Sequence, residues 1–389
     1  MTEVDIVIVG GGPVGATLAL GLCESGLQVM VLEARPDAAP PDDPRAIALS
    51  YGSRLILQRL GVWDALASSA TPIHAIHVSQ RARPGRTRLT AQESGLPELG
   101  CVVDYRALYG ALAGALERSG VPVLYGTQAR SVEMDESSAT VRFTREDGEF
   151  GSVCAALLAV ADGGKGLRAL PGIRREERDY GQAALVAVVE TELPHHHVAY
   201  ERFTARGPVA LLPWGARAFA LVWTETPAVA HTLCEMDETA FLRRLHAHFG
   251  DRQGAFLSVR NRGVFPLRLM HTRPVVAQRL VVIGNAAQTL HPVAGQGFNL
   301  GLRDAWTLAQ LSGDMPRERL GDAAMLRRYQ AQRCVDTRGG IFFTDFLVRV
   351  FSNDLPGWGA MRGCGLTLLD MLAPAKRFLV GKMTLGARG

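Results

Sequence analysis

Residues 4–33, VDIVIVGGGPVGATLALGLCESGLQVMVLE, decide the fold class of this chain. The run 4–9 is short, apolar and β-branched, as a strand buried on both faces requires. It leads into Gly10-Gly11-Gly12-Pro13-Val14-Gly15, which fits GxGxxG at Gly10, Gly12 and Gly15. In that device the first glycine allows a tight turn and the second lets the backbone approach a pyrophosphate. The third lets a helix pack closely on the strand. A helix is expected over 14–25, with Gly26 where a C-cap belongs. A second strand over 28–32 ends at Glu33, whose carboxylate suits both hydroxyls of an adenosine ribose and would repel a 2′-phosphate. Strand, glycine loop, helix and acid together predict a Rossmann-like α/β unit that binds a dinucleotide.

A second glycine-rich turn lies far along the chain, in RLVVIGNAAQTLHPVAGQGFNLGLRDA (279–305). An apolar strand over 280–283 ends at Gly284-Asn285. A loop with His291-Pro292 and Gly295-Gln296-Gly297 follows. Then Phe298, Leu302, Ala305, Trp306, Leu308 and Ala309 recur at helical spacing. A helix opening from glycines offers unpaired N–H groups and a positive dipole end. Elsewhere an apolar strand over 155–160 ends at Ala161-Asp162-Gly163. The regular βα alternation of a simple NAD enzyme does not follow the first unit; DPRAIAL (43–49) and a helix over 52–60 come instead. Three strand ends, at Gly10, Asp162 and Asn285, suit one extended ligand, FAD, with the flavin at the second glycine loop.

Bulk properties exclude several classes. The chain has 389 residues and a net charge of +4, with no Lys/Arg cluster dense enough for nucleic acid. Its 6 cysteines lack CxxC spacing and read as small apolar residues of a reducing compartment. His195-His196-His197 reads as an exposed turn before a strand, and no metal site is expected. The uncharged run 6–23 is broken by glycines and Pro13, so it reads as strand–turn–helix and not as a membrane span. With no targeting signal, a cytoplasmic location is expected.

Apolar or alternating runs at 183–190, 197–203, 208–213 and 217–224 predict a mainly antiparallel substrate sheet. Leu211, Leu212, Pro213, Trp214, Phe219, Trp223, Phe265 and Pro266 are candidate lining residues, plain core being the commoner role for each. Residues 321–384 read as helices. The expected organisation is 1–70 with 101–175 and 270–315 for the FAD-binding domain. Residues 71–100 with 176–269 would form the substrate domain, and 316–389 a C-terminal helical region.

Gly10–Gly15, Arg45 in DPRAIAL, Asp162-Gly163 and the 284–305 stretch make the chain resemble the aromatic-ring flavoprotein monooxygenases of the para-hydroxybenzoate hydroxylase type. Asn285, HPVAGQGFNLGLRDA, AYERFTARGPVALLPW (199–214) and RYQAQR (328–333) are most similar to the ubiquinone-biosynthesis hydroxylases, nearest the 2-polyprenyl-6-methoxyphenol hydroxylase branch. The resemblance implies that Gly10, Gly12, Pro13, Val14, Gly15, Glu33 and Ala34 hold the ADP half of FAD. Arg45, Arg106, Asp162, Gly163, Asn285 and Ala286 would lie near the pyrophosphate and ribityl chain. Gly295, Gln296, Gly297, Phe298 and Asn299 would line the isoalloxazine, mainly through backbone groups, with Pro292 also expected at the cofactor. The family's third motif usually carries a Ser between Asp-Gly and Arg. Here Asp162-Gly163-Gly164-Lys165-Gly166-Leu167-Arg168 is one residue short and lacks it.

The implied chemistry is hydroxylation of a polyprenylated phenol, 2-polyprenyl-6-methoxyphenol, to its benzoquinol. NADH or NADPH is a transient co-substrate, O2 the oxidant, and a flavin C4a-hydroperoxide the oxygen donor. No residue stands out as catalytic base; His291 with Pro292 reads chiefly as a loop-shaping pair. Another ring position, another aromatic substrate, a flavin reductase of related fold and a flavin-binding assembly protein remain alternatives. The halogenase motif WxWxIP is absent. The C-terminal helices carry Arg349, Arg362, Lys376 and Arg377 among apolar clusters. They are expected to pack on the FAD domain or another subunit, or to contact a membrane surface or a ubiquinone-biosynthesis assembly. The oligomeric state is not legible.

Overall fold

The computed structural model describes residues 2–386 except 82, 168–169, 205, 291–294 and 352–357; at 341–349, 351 and 358 it describes the backbone. The sequence expectations for His291, Pro292 and Arg168 therefore lie outside the described residues.

β1 (Thr2–Val9) is covered on both faces. Ile6 and Ile8 enter one apolar core, Val7 and Val9 the other, which is why the strand carries no polar alternation. It lies between two parallel partners, β2 (Val29–Leu32) and β11 (Phe150–Val160). β8 (Val123–Leu124) continues the sheet beyond β2, and β18 (Leu280–Val282) lies beyond β11, both parallel. β17 (Val276–Ala277) closes that edge, while β9 (Thr127–Met134) and β10 (Ala139–Arg145) add an antiparallel hairpin to β11. The C-terminal ends of β1, β2, β11 and β18 thus lie side by side, the position where open parallel sheets bind ligands.

Two helices leave this edge. α1 (Pro13–Leu22) follows β1, and α7 (Gln296–Gly313) follows the second glycine loop. They approach closely because small residues meet: a Cβ on Gly21 would come within 2.7 Å of Ala309, and one on Gly301 within 3.1 Å of Gly284. α2 (Tyr51–Arg59), α3 (Asp64–Ala67) and α4 (Tyr105–Arg118) complete the same core with Leu57, Leu66 and Leu108. A small sheet of β3 (Ala46–Ser50), β4 (Thr71–Ile73) and β7 (Gly100–Asp104) bridges to the second large sheet.

That sheet runs in the order β19 (Gln288–Thr289), β16 (Phe256–Arg273), β12 (Arg174–Thr191), β15 (Ala218–Glu225), β14 (Gly207–Trp214), β13 (Val198–Thr204), β5 (Ala75–Gln80) and β6 (Arg86–Thr90). All its pairs are antiparallel except β13 with β5. One face buries Leu185, Val189, Leu211, Phe219 and Trp223 beneath α5 (Pro227–Glu235) and α6 (Glu238–Phe249). The other face looks toward the first sheet across a cavity. α8 (Ala323–Phe351) packs on α7; α9 (Trp358–Met371) and α10 (Ala373–Thr384) pack against β5, β6 and α2. The fold is α/β with C-terminal helices, as the sequence predicts. His195–His197 does form a turn before β13, but His195 is buried. Its Nε2 lies 2.8 Å from the Gly215 carbonyl, so the tract is an anchored turn and not an exposed one.

Candidate active site

The space between the sheets is a cavity of about 1330 Å³. Pockets for one small ligand run to roughly 1,000 Å³, so this volume admits a cofactor and a substrate together. At one end lie Gly10, Gly12, Pro13, Val14, Glu33, Ala34, Asp162, Gly163 and Asn285, all predicted from sequence. Gly10 has φ +103°, and a Cβ there would press within 2.7 Å of the Ala161 carbonyl at the neighbouring strand end. Gly12 differs: a Cβ built on it meets nothing within 4 Å, because it faces the open cavity. Gly15 stands behind the wall, its Cα close enough to Gly10 that a Cβ would come within 1.9 Å of the Gly10 oxygen.

Glu33 is almost wholly buried, and its carboxylate accepts from the backbone N–H of Gly11 at 2.5 Å and of Arg35 at 3.0 Å. The Arg35 guanidinium, 3.1 Å from Glu33 through Nε, lies 4.1 Å from the Tyr109 ring centroid. Arg35, Tyr109, Thr127, Gln128 and Ala129 line this end, and sequence reasoning missed them. They come from the segment after Glu33, from α4 and from β9, and no motif marks them.

Asp162, expected toward a ribityl or pyrophosphate group, lines the cavity and also holds its own loop. Its carboxylate accepts from the N–H groups of Gly164 (2.7 Å), Gly166 (2.9 Å) and Leu167 (2.9 Å), shaping its own loop. Arg45 lies in the middle of the cavity. Asp43 holds its guanidinium at 2.6 Å, and it sits 5.0 Å from the Phe265 ring and 5.6 Å from that of Tyr105. Asp43 raises the Arg45 pKa, chiefly by hydrogen bonding, although burial opposes this. A fixed cation thus stands where the two sheets meet. Arg106 does not share that wall; it pairs with Asp42 and is about half exposed.

Gly295, Gly297, Phe298 and Gly301 bring the first turns of α7 to the cavity. Gln296 and Asn299 lie instead in a small adjoining cavity of about 60 Å³. Asn299 is a clip: its Nδ2 donates to the Ala48 and Gly295 carbonyls (2.9 and 2.7 Å), and its Oδ1 accepts from Ser50 N–H (2.8 Å). Ala286 is fully buried in the core. Among the expected substrate-wall residues, Leu212, Phe265 and Pro266 line the cavity. Leu211, Phe219 and Trp223 are core on the opposite face, because strand alternation turns them under α5 and α6. Pro213 and Trp214 also lie outside the wall. Sequence reasoning missed Glu201 in that wall, and missed Met361, Arg362, Leu366, Leu369, Leu379 and Met383 from the last two helices.

The donor set and the open face at Gly12 fit FAD: an acid for the ribose, backbone for the pyrophosphate and a helix N-terminus for the flavin. A family model described as "FAD binding domain" matches residues 3–337. The chain belongs to the FAD-binding domain family. "Ubiquinone hydroxylase UbiL" of Rhodospirillum rubrum is 35% identical over 382 residues, covering 97% of this chain and 88% of that protein. "3-demethoxyubiquinol 3-hydroxylase" of Escherichia coli is 32% identical, covering 96% of each. The p-nitrophenol 4-monooxygenase PnpA of Pseudomonas putida superposes with a TM-score of 0.80 over 100% of both chains at 18% identity, a likeness of fold. As a member of this family the protein is an FAD-dependent monooxygenase with NADH or NADPH as co-substrate. The family match spans both glycine loops and the whole of the sheet that roofs the cavity.

Proposed function

We propose that the protein hydroxylates the ring of a polyprenylated phenol in ubiquinone biosynthesis, converting 2-polyprenyl-6-methoxyphenol to the corresponding benzoquinol. The observation that carries this is the two-part cavity. A polar, glycine-rich end runs without interruption into an apolar end walled by Val186, Ala210, Leu212, Val222 and Leu366. An aromatic ring with a hydrocarbon tail matches that second half.

The bound flavin supplies the redox chemistry, taking two electrons from NADH or NADPH and activating O2 for transfer of one oxygen atom. Gly10, Gly12 and Glu33 would hold its ADP half. The N-terminal dipole of α7 would stabilise the negative charge of its reduced ring. Ala184, Val186, Ala220 and Val222 would exclude water and press the substrate ring toward α7, while small alanines leave room for it. The segments 1–70, 101–175 and 270–315 would serve the cofactor, 71–100 with 176–269 the substrate, and 316–389 the tail.

α9, α10 and Leu372 between them expose Met361, Leu368, Met371, Leu372 and Phe378. Met361 also lines the cavity. This supports peripheral contact with a membrane from which a lipidic substrate enters. No helix among the described residues is long and apolar enough to cross one. Flotation with anionic liposomes is the expected outcome; full recovery in the lipid-free fraction would remove the membrane contact from the account.

A different ring position is the second possibility, favoured by the E. coli relative's name, 3-demethoxyubiquinol 3-hydroxylase. The test of both is product analysis with short-chain 2-prenyl-6-methoxyphenol and with the corresponding demethoxyubiquinol, each supplied with NADPH and oxygen. The substrate converted with tightly coupled NADPH use identifies the position.

A further inference from the structure

The register of the substrate sheet places its cavity face in rows. Ala199, Leu212, Ala220 and Val188 form one row with Ile76 and Leu89. Ile76 and Leu89 share the wall of the small adjoining cavity with Ala48, Gln296 and Asn299, so this row is the flavin side. The next row reads Val186, Val222, Ala210, Glu201, Val78 and Thr87, a step of two residues or roughly 7 Å along the strands. Five of these six carry no charge, and the Thr87 hydroxyl is engaged with Asp370 at 3.3 Å. Glu201 is the carboxylate in this wall.

No side chain among the described residues donates a hydrogen bond or forms an ion pair with the Glu201 carboxylate. Its surroundings explain why. Val78 and Ala210 flank it on the paired strands. Tyr200 and Arg202, its sequence neighbours, turn to the other face and pack against Phe249. On the α9 side Arg362 lines the cavity with its Nη1 donating to the Val350 carbonyl at 3.0 Å, and Met361, Leu366 and Leu369 are apolar. Toward the flavin the cations are Arg45, held by Asp43, and Lys165. The Glu201 side chain keeps some exposed surface because it opens onto the cavity; protein encloses it otherwise. Burial pushes its carboxyl pKa up to about 8. A carboxylate left without a donor in an apolar wall is unfavourable unless a ligand supplies one.

We propose that Glu201 receives the phenol hydroxyl of the substrate, accepting its hydrogen bond and taking up its proton during ring hydroxylation. This rests on the phenol-hydroxylase reading above and extends it to a catalytic residue. In the step, the phenol O–H bond breaks and an O–H bond forms on a Glu201 oxygen. The electron pair stays on the phenolate, which enriches the ring for attack on oxygen. After transfer the hydrogen displaced from the ring carbon leaves as a proton to solvent and the proton held by Glu201 returns to the oxygen that gave it, so no net redox change falls on Glu201. A group titrating near neutrality suits both directions.

The test compares wild type, Glu201→Gln and Glu201→Ala as FAD-loaded enzymes. Affinities for short-chain 2-prenyl-6-methoxyphenol and for its O-methyl ether are read from the flavin absorbance change. Wild type should prefer the phenol by about tenfold or more, and Glu201→Ala should lose that preference. The rate of product formation, kcat/KM, should rise with pH through about 8 in wild type. In Glu201→Gln it should fall by roughly 100-fold or more and lose the rise. Glu201→Gln, nearly isosteric, keeps the test decisive where the alanine variant folds poorly. Unchanged discrimination in Glu201→Ala, or an unchanged pH profile in Glu201→Gln, overturns the proposal. If wild type prefers the phenol through Glu201 yet yields no hydroxylated product, the phenol-hydroxylase reading fails and the binding role of Glu201 stands. A wild type that shows no preference for the phenol overturns the role of Glu201 whatever the product.

Discussion

Asp304 on α7 and Arg333 on α8 form an ion pair of 2.7 Å with both side chains nearly inaccessible to solvent. The same Asp304 carboxylate accepts from Gly284 N–H at 3.2 Å and from the Gln288 amide at 2.8 Å. Arg333 also reaches Asp336 at 2.5 Å. One carboxylate therefore ties the strand end beneath Asn285, the flavin-side helix and the C-terminal helix into one unit. Removing Arg333 strands the buried Asp304 carboxylate, and removing Asp304 leaves Arg333 with Asp336 alone; either loss is about 3–5 kcal/mol. Asp304→Leu should be the worse of the two, because it also orphans Gly284 N–H and the Gln288 amide. Urea unfolding of Asp304→Leu and Arg333→Leu checks the order, and equal losses would show that the bonds from Gly284 N–H and the Gln288 side-chain amide carry no weight.

The glycines of the first loop separate folding from cofactor binding. Gly12 faces open space and Gly15 faces the Gly10 oxygen at 1.9 Å for an added Cβ. Gly12→Val is expected to fold with a melting temperature within a few degrees of wild type and to purify without yellow colour. Gly15→Val is expected to yield little soluble protein. Retained FAD in folded Gly12→Val would show that the ligand does not pass over that residue.

Asn299 lies behind the flavin wall and fixes its shape. Replacing it with alanine removes three hydrogen bonds between α7, its preceding loop and β3. The buried groups left unpaired cost about 1–3 kcal/mol each. Asn299→Ala should be less stable and release FAD faster, measured by fluorescence of the free flavin. An unaltered release rate would leave Asn299 with a purely structural part.

Acid should loosen the substrate sheet before it affects the parallel sheet. His77 and His248 have pKa values lowered to about 4, first by burial and then by nearby arginines. In the native protein the Nδ1 of His248 lies 2.9 Å from Arg81, an arrangement that requires a neutral ring accepting that bond. The unfolded chain takes up protons near the ordinary histidine pKa of about 6.5, well before the folded one does. Stability from these two sites is thus present above about pH 6.5 and lost progressively as pH falls toward 4. Melting temperatures between pH 7.5 and 4 should fall across that window. His248→Gln should flatten the decline; an identical slope would locate the acid sensitivity elsewhere.

The parallel sheet was legible because its strands are continuous apolar runs ending in glycine or an acid. The antiparallel sheet was legible because four apolar runs recur at regular spacing. Those signals are local. What escaped is relational: Leu211 and Leu212 look alike in sequence, yet one is core and the other cavity wall, since alternation sends neighbours to opposite faces. Glu201 is hidden in AYERFT for the same reason; only the pairing with Val78 and Ala210 shows that its side stays apolar. The side chain of Asn299, a residue expected beside the flavin through its backbone, is bonded to β3 and to Gly295, a pairing that no local motif shows. The C-terminal helices were expected as packing or membrane elements, and their inner faces prove to line the cavity.

The central claim, a flavin enzyme that inserts oxygen into a phenol ring, is tested most directly with isotopically labelled oxygen gas. The purified yellow protein, NADPH and short-chain 2-prenyl-6-methoxyphenol are incubated under it, and the product is weighed by mass spectrometry. The account predicts one labelled oxygen atom in each product molecule, with one NADPH consumed. NADPH oxidation that yields only hydrogen peroxide, or a product whose new oxygen comes from water, would contradict it.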